Sequence, residues 1–159
     1  MPYYAVMSET ELPLYSEILP NLWQGGTAEE NWVNQAIPLP SLEDPRHFDT
    51  VVTLTTVANP MGYHVKELRF GFPDAELFDE HNLNIEQVAD WTFQEWKSGN
   101  KVLIRCQAGI NRSGLIMALV LMRDGLSAKE AIELIRRKRS EFAINNIHFE
   151  NYLINRADI

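Results

Sequence analysis

The residues of this chain that could do chemistry together lie in one short segment, residues 106–114. An apolar run at residues 101–105 predicts a buried β-strand before it, and residues 115–123 predict an apolar helix after it. A loop between a strand and a helix can point backbone N–H groups at an anion, beside the unpaired donors of the helix N-terminus. The segment is therefore a candidate anion-binding loop.

Cys106 and Arg112 are the reactive side chains of this loop. The guanidinium of Arg112 matches two phosphate oxygens at once, and Gly109 and Gly114 allow the backbone to come close to a ligand. The local positive field favours the thiolate of Cys106, which is a nucleophile. The alternative is a buried cysteine and a surface arginine. Composition gives a chance of about 3 in 10,000 for Gly, Arg and Ser or Thr at these offsets from one cysteine, which favours the functional interpretation.

Composition excludes several other classes of function. The chain has 14 Lys and Arg against 22 Asp and Glu, and the net charge of −8 opposes binding to nucleic acid or to an anionic membrane. A single cysteine excludes an internal disulfide and cysteine-based metal sites, and the four histidines show no metal-ligand spacing. We therefore expect no metal and no cofactor.

The apolar segments of the sequence predict whether the protein crosses a membrane or is secreted. The apolar run at residues 115–122 is shorter than the roughly 20 residues that cross a bilayer. The first residues lack the basic flank and apolar stretch of a secretory signal. We expect a soluble, cytoplasmic protein, and the oligomeric state stays open.

Strand and helix patterns alternate along the chain. Residues 17–24 predict two short strands broken at Pro20-Asn21, and further strands are predicted at residues 50–55, 64–70 and 101–105. Residues 71–82 are rich in breakers and carboxylates and predict a loop. This order predicts an α/β domain with a largely parallel central sheet flanked by helices, at residues 14–159, after a tail at residues 1–13.

Helices are predicted from apolar spacing and from capping residues. A first long helix is expected from Asn84, ended by Ser98-Gly99-Asn100, and a second at residues 115–123. Ser127 and Glu130 form a capping box for the next helix, and a last helix follows Asn145-Asn146. Thr27 and Glu30 predict another capping box and a short helix, and Pro38, Pro40 and Pro45 predict an irregular crossing after it. The basic run at residues 136–139 is interpreted as a solvated helix end.

The Cys-x5-Arg pattern at residues 106–112, called the signature loop below, resembles that of the cysteine-dependent protein tyrosine phosphatase superfamily. The similarity is to its dual-specificity type, with the same α/β fold. Residues 20–25 are similar to the N-terminal Leu-Tyr-x-Gly element of this family, and Phe72-Pro73-Asp74 to its acid loop. Residues 131–139 with Asn145, Phe149 and Leu153 are similar to its C-terminal helices. The resemblance covers about residues 16–155.

The resemblance implies a metal-independent phosphatase of phosphotyrosine and of phosphoserine or phosphothreonine in proteins, working through a cysteinyl-phosphate. Cys106 would be the nucleophile, and Ser113 would donate a hydrogen bond to the departing thiolate. Asp74 is the candidate general acid and Asp79 its rival, with Glu76 and Glu80 nearby. The phosphate would be held by Gln107, Ala108, Gly109, Ile110, Asn111 and Arg112.

Two departures from the family pattern keep alternatives open. Arg105 stands where the family has histidine before the nucleophile, so a phosphate-binding pseudophosphatase is the first alternative. Asn111 before Arg112 is similar to the RNA 5′-triphosphatase branch, so a phosphatase of RNA 5′ ends or of another non-protein phosphate is the second. Arg105, as a strand residue next to Cys106, should point away from the substrate. Phe72 is a candidate to pack over a substrate ring.

Overall fold

A five-stranded sheet organises the computed structural model, which describes residues 12–27, 48–58, 60–62 and 65–156. The spatial order is β1-β2-β5-β3-β4; β1 and β2 pair antiparallel and all other neighbours pair parallel. The predicted α/β class with a largely parallel sheet is confirmed. The strands are β1 (Tyr15–Leu19), β2 (Leu22–Gly25), β3 (Thr50–Thr53), β4 (Lys66–Arg69) and β5 (Val102–Arg105).

Some predictions fall on residues outside this description. They are the capping box of Thr27 and Glu30, the short helix after it, and the crossing that contains Pro38, Pro40 and Pro45. Most of the tail predicted at residues 1–13 also lies outside the described residues.

The central strand β5 delivers the signature loop to one edge of the sheet. All four of its residues are buried, and its last residue, Arg105, is in register with Gly25 of β2 and Thr53 of β3. Because parallel strands end at the same edge, the chain leaves β2, β3 and β5 together, at the place where ligands bind in open α/β sheets. Cys106 is the first residue beyond that edge.

The two faces of β5 belong to two different apolar clusters. Val102, Ile104 and Cys106 pack in the main core, whereas Leu103 packs in a smaller cluster with Phe48 and Val51. Successive strand residues point to opposite faces, so Arg105 lies on the face of Leu103 and Cys106 on the opposite one.

Four helices are described: α1 (Asp79–Lys97), α2 (Arg112–Arg123), α3 (Ala128–Lys138) and α4 (Ile147–Asn155). Every residue of α2 from Ser113 to Leu121 is buried, because α1, α3, α4 and the sheet pack around it. The predicted capping box of Ser127 and Glu130 is present at the start of α3. No helix in the described part of the chain is long and apolar enough to cross a membrane.

Two helices begin earlier than the apolar spacing predicts. Helix α1 starts at Asp79 and not at Asn84, because Asp79 and Glu80 favour a helix N-terminus and the His81 side chain accepts a hydrogen bond from the Phe78 amide. Its first turn therefore includes residues assigned to a loop by their composition. Helix α2 starts at Arg112 and not at Leu115, whose amide already donates to the carbonyl oxygen of Asn111.

Glu86 ties α4 to α1 and α2. Its carboxylate accepts hydrogen bonds from Arg123, Arg156 and the hydroxyl of Tyr152. Burial alone would raise the pKa of Glu86, but these hydrogen bonds outweigh it and lower that pKa, while burial beside Glu86 raises the pKa of Tyr152 to about 12. The network fixes the helix whose N-terminus lies beside the signature loop.

Candidate active site

The sulfur of Cys106 lies against the first turn of α2. Cys106 is 2% exposed, and its amide continues the pairing of β5 with β2 by donating to the carbonyl of Gly25 at 3.2 Å. Its Sγ is 3.4 Å from the backbone nitrogen of Ser113 and 3.4 Å from the Ser113 Oγ. A helix N-terminus and a hydroxyl therefore both reach the sulfur.

Four successive carbonyl groups of the signature loop are held by donors behind it. Because a trans peptide directs its C=O and N–H to opposite sides, the N–H groups of residues 108–111 point away from these donors. Among the described residues, no acceptor binds the N–H groups of residues 107–111. The N–H groups of residues 108–111 are therefore available on the opposite side of the loop, an arrangement suited to a tetrahedral oxyanion. The hydrogen bonds that hold the four carbonyls run from Thr27 N to Gln107 O, from Arg139 Nη2 to Ala108 O, from Arg139 Nε and Gln24 Nε2 to Gly109 O, and from Ile144 N to Ile110 O.

Gly109 meets two requirements of this arrangement. Its φ is +75°, a conformation that side chains disfavour. A Cβ at this position would also lie 2.6 Å from the carbonyl carbon of Gly25 and 2.6 Å from Nη2 of Arg139. A larger residue would therefore push the loop away from the groups that hold its carbonyls.

Arg112 is the first residue of α2, and its guanidinium bridges the signature loop to the acid loop. Its Nη1 donates to the carbonyl of Phe72 at 3.2 Å. Its Nε is buried and has no hydrogen-bond partner in the described part of the chain. A buried donor without an acceptor is costly, and an oxyanion bound over Cys106 would supply one.

Gln24 is a site residue that our sequence analysis did not single out by its chemistry. It is fully buried in β2, and its Nε2 donates to Ser113 Oγ at 3.1 Å and to Gly109 O at 3.2 Å. The Ser113 oxygen accepts from Gln24 and lies 3.4 Å from Cys106 Sγ, so its O–H can donate to the sulfur when the sulfur is a thiolate. An amide side chain within a buried strand is the signal that could have identified it.

Asp74 lies beside the signature loop, held by two asparagines. Its Oδ2 accepts from Asn111 Nδ2 at 3.0 Å, and its Oδ1 accepts from Asn146 Nδ2 at 2.7 Å. Asn146 is the N-cap of α4, and its backbone N–H donates to Asn111 Oδ1 at 3.0 Å. With Asn145, these residues line a groove of about 470 Å³ beside the loop.

The other carboxylates near Asp74 do not reach the loop. Asp79 and Glu80 are exposed in the first turn of α1, and Glu76 is exposed at the groove wall. Of the four, Asp74 is the one hydrogen-bonded to a residue of the signature loop. Of the two candidates for the general acid, the structure thus brings Asp74, and not Asp79, into contact with the signature loop.

Phe72 does not lie over a substrate ring. It is 5% exposed, and its ring packs against Phe70 and Phe149, with centroids 5.6 Å and 6.0 Å away. This apolar contact anchors the base of the acid loop in the core. The ring, two residues before Asp74 in the chain, is buried between Phe70, which directly follows β4, and Phe149 of α4.

Arg105 points away from the signature loop, as expected for a strand residue next to Cys106. It is 1% exposed, and its Nε donates to Thr53 Oγ1 at 3.0 Å while its Nη2 lies 3.5 Å from Glu67 Oε2. Burial alone would raise the pKa of Glu67, but hydrogen bonds from Thr53 and Met61 and the positive charges of Arg69 and Arg105 outweigh burial and lower that pKa. The ionised carboxylate thus compensates the buried charge of Arg105.

The basic run at residues 136–139 is only partly a solvated helix end. Arg137 and Lys138 are exposed as expected. Arg136 instead binds the carbonyls of Ala143 and Ile144 and the carboxylate of Glu150, and Arg139 is 5% exposed behind the signature loop. The interpretation is wrong for these two residues, because the chain after α3 folds back onto Arg136, and the signature loop and the chain leading into β1 cover Arg139. No grouping of three or more potential metal ligands occurs among the described residues.

Comparisons with known proteins agree with this geometry. A family model described as the dual specificity phosphatase catalytic domain matches residues 34–158. "Putative tyrosine phosphatase 123R" of Invertebrate iridescent virus 6 is 31% identical over 94 residues, which is 58% of this chain and 64% of the viral protein. The chain thus matches less than two thirds of that relative's length.

Solved structures show the same fold. Human DUSP28 is 21% identical, with a TM-score of 0.69 over 89% of this chain and 90% of that chain. Tk-PTP in its active form is 25% identical, with a TM-score of 0.64 over 91% of this chain and 99% of that chain. The protein therefore belongs to the dual specificity phosphatase catalytic-domain family, and the predicted family is confirmed.

Proposed function

We propose that this protein is a metal-independent phosphatase that hydrolyses phosphotyrosine and phosphoserine or phosphothreonine in proteins through a cysteinyl-phosphate. The observation that carries the proposal is the convergence of three features. They are a sulfur at a helix N-terminus, the available amides of the signature loop, and the unpaired Nε of Arg112. Family membership and the name of the viral relative support the same class of reaction.

In the first step, the thiolate of Cys106 attacks phosphorus in line with the leaving oxygen. A sulfur–phosphorus bond forms, and the bond from phosphorus to the substrate oxygen breaks. The loop amides and Arg112 hold the three equatorial oxygens, over which the negative charge is spread in the transition state. The leaving oxygen takes a proton from Asp74, which becomes the carboxylate.

In the second step, a water molecule attacks the cysteinyl-phosphate and gives its proton to the carboxylate of Asp74. The sulfur–phosphorus bond breaks, inorganic phosphate leaves, and the electron pair returns to Cys106 Sγ. The hydroxyl of Ser113 stabilises the departing thiolate, since Gln24 already donates to its oxygen and so sets its direction. The proton that water gives to Asp74 restores the protonated acid, so the cycle ends with the Cys106 thiolate, the Asp74 carboxylic acid and free phosphate, and needs no further proton.

A phosphate-binding pseudophosphatase is the second candidate, because Arg105 replaces the histidine that the family has before the nucleophile. The guanidinium of Arg105 is engaged with Thr53 and Glu67 on the opposite face of the sheet. That contact leaves Cys106, Arg112, Ser113 and Asp74 in place, which favours turnover over binding alone.

The experiment that tests the proposal is hydrolysis of p-nitrophenyl phosphate in the presence of EDTA, followed by phosphopeptides. We expect turnover that chelation does not reduce, and hydrolysis of phosphotyrosine and phosphoserine or phosphothreonine peptides. Tungstate binding without turnover would show a pseudophosphatase instead. Faster hydrolysis of 5′-triphosphate RNA than of any phosphopeptide would contradict the substrate class.

Asp74→Asn should reduce kcat for a phosphoserine peptide by about 100-fold, because an alkoxide leaving group needs a proton that an amide does not supply. The effect on p-nitrophenyl phosphate should be much smaller, since its leaving group departs without a proton. The measurement is steady-state hydrolysis of both substrates. Asp79→Asn is the matched control and should retain the wild-type rate; a large loss in Asp79→Asn alone would reverse the assignment.

A further inference from the structure

Arg139 is a buried arginine whose partners are all neutral oxygens. It is 5% exposed, and its guanidinium donates to the carbonyls of Gly109, Ala108 and Pro13 and to Ser16 Oγ. The carbonyls of Ala108 and Gly109 belong to the signature loop. Pro13 lies just before β1, and Ser16 lies in it. Burying a guanidinium without a carboxylate is costly, so its counter-charge must come from elsewhere.

Other buried or half-buried arginines in the described part of the chain show the usual arrangement. Four of them, at positions 105, 123, 136 and 156, each contact a glutamate carboxylate. The two that contact no described carboxylate are Arg112 and Arg139, and both of these lie at the signature loop. Unpaired positive charge is therefore concentrated where an oxyanion would bind.

Charge on Arg139 persists at neutral pH. Burial lowers its pKa to about 10, and negative charge at Cys106 acts in the opposite direction. The groups that face Cys106 and the loop are Arg112 and Ser113 from α2, Asp74 from the acid loop, and Arg139 from the end of α3. Arg139 is the cation among them that lies on the carbonyl side of the loop.

Hydrogen bonds from Arg139 also determine which way two loop peptides face. Its Nε is 3.0 Å from the Gly109 oxygen, and its Nη2 is 3.4 Å from the Ala108 oxygen. Since C=O and N–H lie on opposite sides of a trans peptide, these bonds keep the N–H groups of Gly109 and Ile110 directed at the oxyanion position. Without the guanidinium, the Ala108–Gly109 peptide has no other described donor to its carbonyl.

We propose that Arg139 is a positioning residue for oxyanion binding: it fixes two peptides of the signature loop, and its unpaired charge is compensated by the bound oxyanion. This inference rests on the proposed function, because the oxyanion it concerns is the phosphoryl group of the substrate. Arg139 acts through the loop backbone and does not contact the phosphate.

The test is the affinity for tungstate, an unreactive tetrahedral oxyanion, measured by isothermal titration calorimetry on the full chain. Arg139→Met should weaken tungstate binding by about tenfold or more, since it removes both the charge and the two loop hydrogen bonds. Arg137→Met is the matched control, since it removes one positive charge from an exposed neighbour, and it should bind tungstate like the wild type.

A purely structural role for Arg139 predicts a different result. Arg139→Met would then melt at a lower temperature but, measured well below that temperature, would bind tungstate with the wild-type Kd; this result would overturn the inference. If Arg139→Met does not fold, Arg139→Lys decides. Lysine keeps the charge but cannot hold both carbonyls, so we expect a Kd raised by about threefold or more. A wild-type Kd in Arg139→Lys would then overturn the inference.

Turnover separates this inference from the proposed function. A wild type that hydrolyses aryl phosphate, with an Arg139→Met variant of unchanged tungstate affinity, defeats the inference alone. A wild type that binds tungstate without turnover, and loses this binding in Arg139→Met, defeats the proposed function and supports the inference. A wild type that binds no tungstate would contradict both.

Discussion

Cys106→Ser should lower kcat for p-nitrophenyl phosphate by about four orders of magnitude or more, the scale of loss on removing a catalytic nucleophile. The reason is the difference in nucleophilicity between a thiolate sulfur and a hydroxyl oxygen. In the proposed mechanism Cys106 attacks as a thiolate, a strong nucleophile, with its Sγ 3.4 Å from the Ser113 amide, whereas a serine hydroxyl at this position is a weak nucleophile. No histidine or carboxylate has a hydrogen bond to Cys106 Sγ among the described residues, so no base is in place to activate serine.

Tungstate binding is the control that keeps this result specific. The oxyanion is held by loop amides and Arg112, which Cys106→Ser leaves in place, so the variant should keep an affinity within a few fold of the wild type. Loss of both turnover and binding would indicate a damaged loop. Turnover of Cys106→Ser within tenfold of the wild type would contradict the assignment of the nucleophile.

Arg112→Lys should lower kcat/KM by about three orders of magnitude, since charge on the transferring phosphoryl group is stabilised by the guanidinium. Lysine keeps one positive charge but has no planar pair of donors for two equatorial oxygens. The substitution also removes the hydrogen bond from Nη1 to the carbonyl of Phe72, which connects the acid loop to the signature loop. Both losses act on the transition state.

The measurement is steady-state kinetics of aryl phosphate hydrolysis, with separate kcat and KM. Arg137→Lys is the matched control, because Arg137 is exposed at the end of α3, and it should behave like the wild type. If Arg112→Lys kept kcat and kcat/KM within tenfold of the wild-type values, the guanidinium of Arg112 would not be what stabilises the transferring phosphoryl group.

The chemistry of the signature loop could be predicted from the sequence because its parts are local. Cys106, Gly109, Arg112 and Ser113 lie within eight positions, between a strand and a helix that apolar patterns also predict. The alternating positions of Cys106 and Arg105 on opposite faces followed from the geometry of a strand. The structure places both side chains accordingly.

Groups that position the loop could not be predicted in the same way. Gln24 is 85 residues from Gly109, and Arg139 is 30 residues from it. Arg139 belongs to a run of basic residues that looks like a solvated helix end, and it is buried because the signature loop and the chain leading into β1 pack against its guanidinium. The expectation that Phe72 packs over a substrate ring is wrong for a similar reason, since its burial between Phe70 and Phe149 depends on packing that no local pattern encodes.

Detection of a covalent phosphoryl group on Cys106 distinguishes a cysteinyl-phosphate intermediate from direct attack of water on the substrate. The Ser113→Ala variant lacks the hydroxyl that stabilises the departing thiolate, so hydrolysis of the intermediate should slow more than its formation. After rapid denaturing quench during turnover of p-nitrophenyl phosphate, mass spectrometry should find one phosphoryl group, on the peptide that contains Cys106. Continued turnover of Ser113→Ala with no such adduct, together with an active Cys106→Ser variant, would contradict the account.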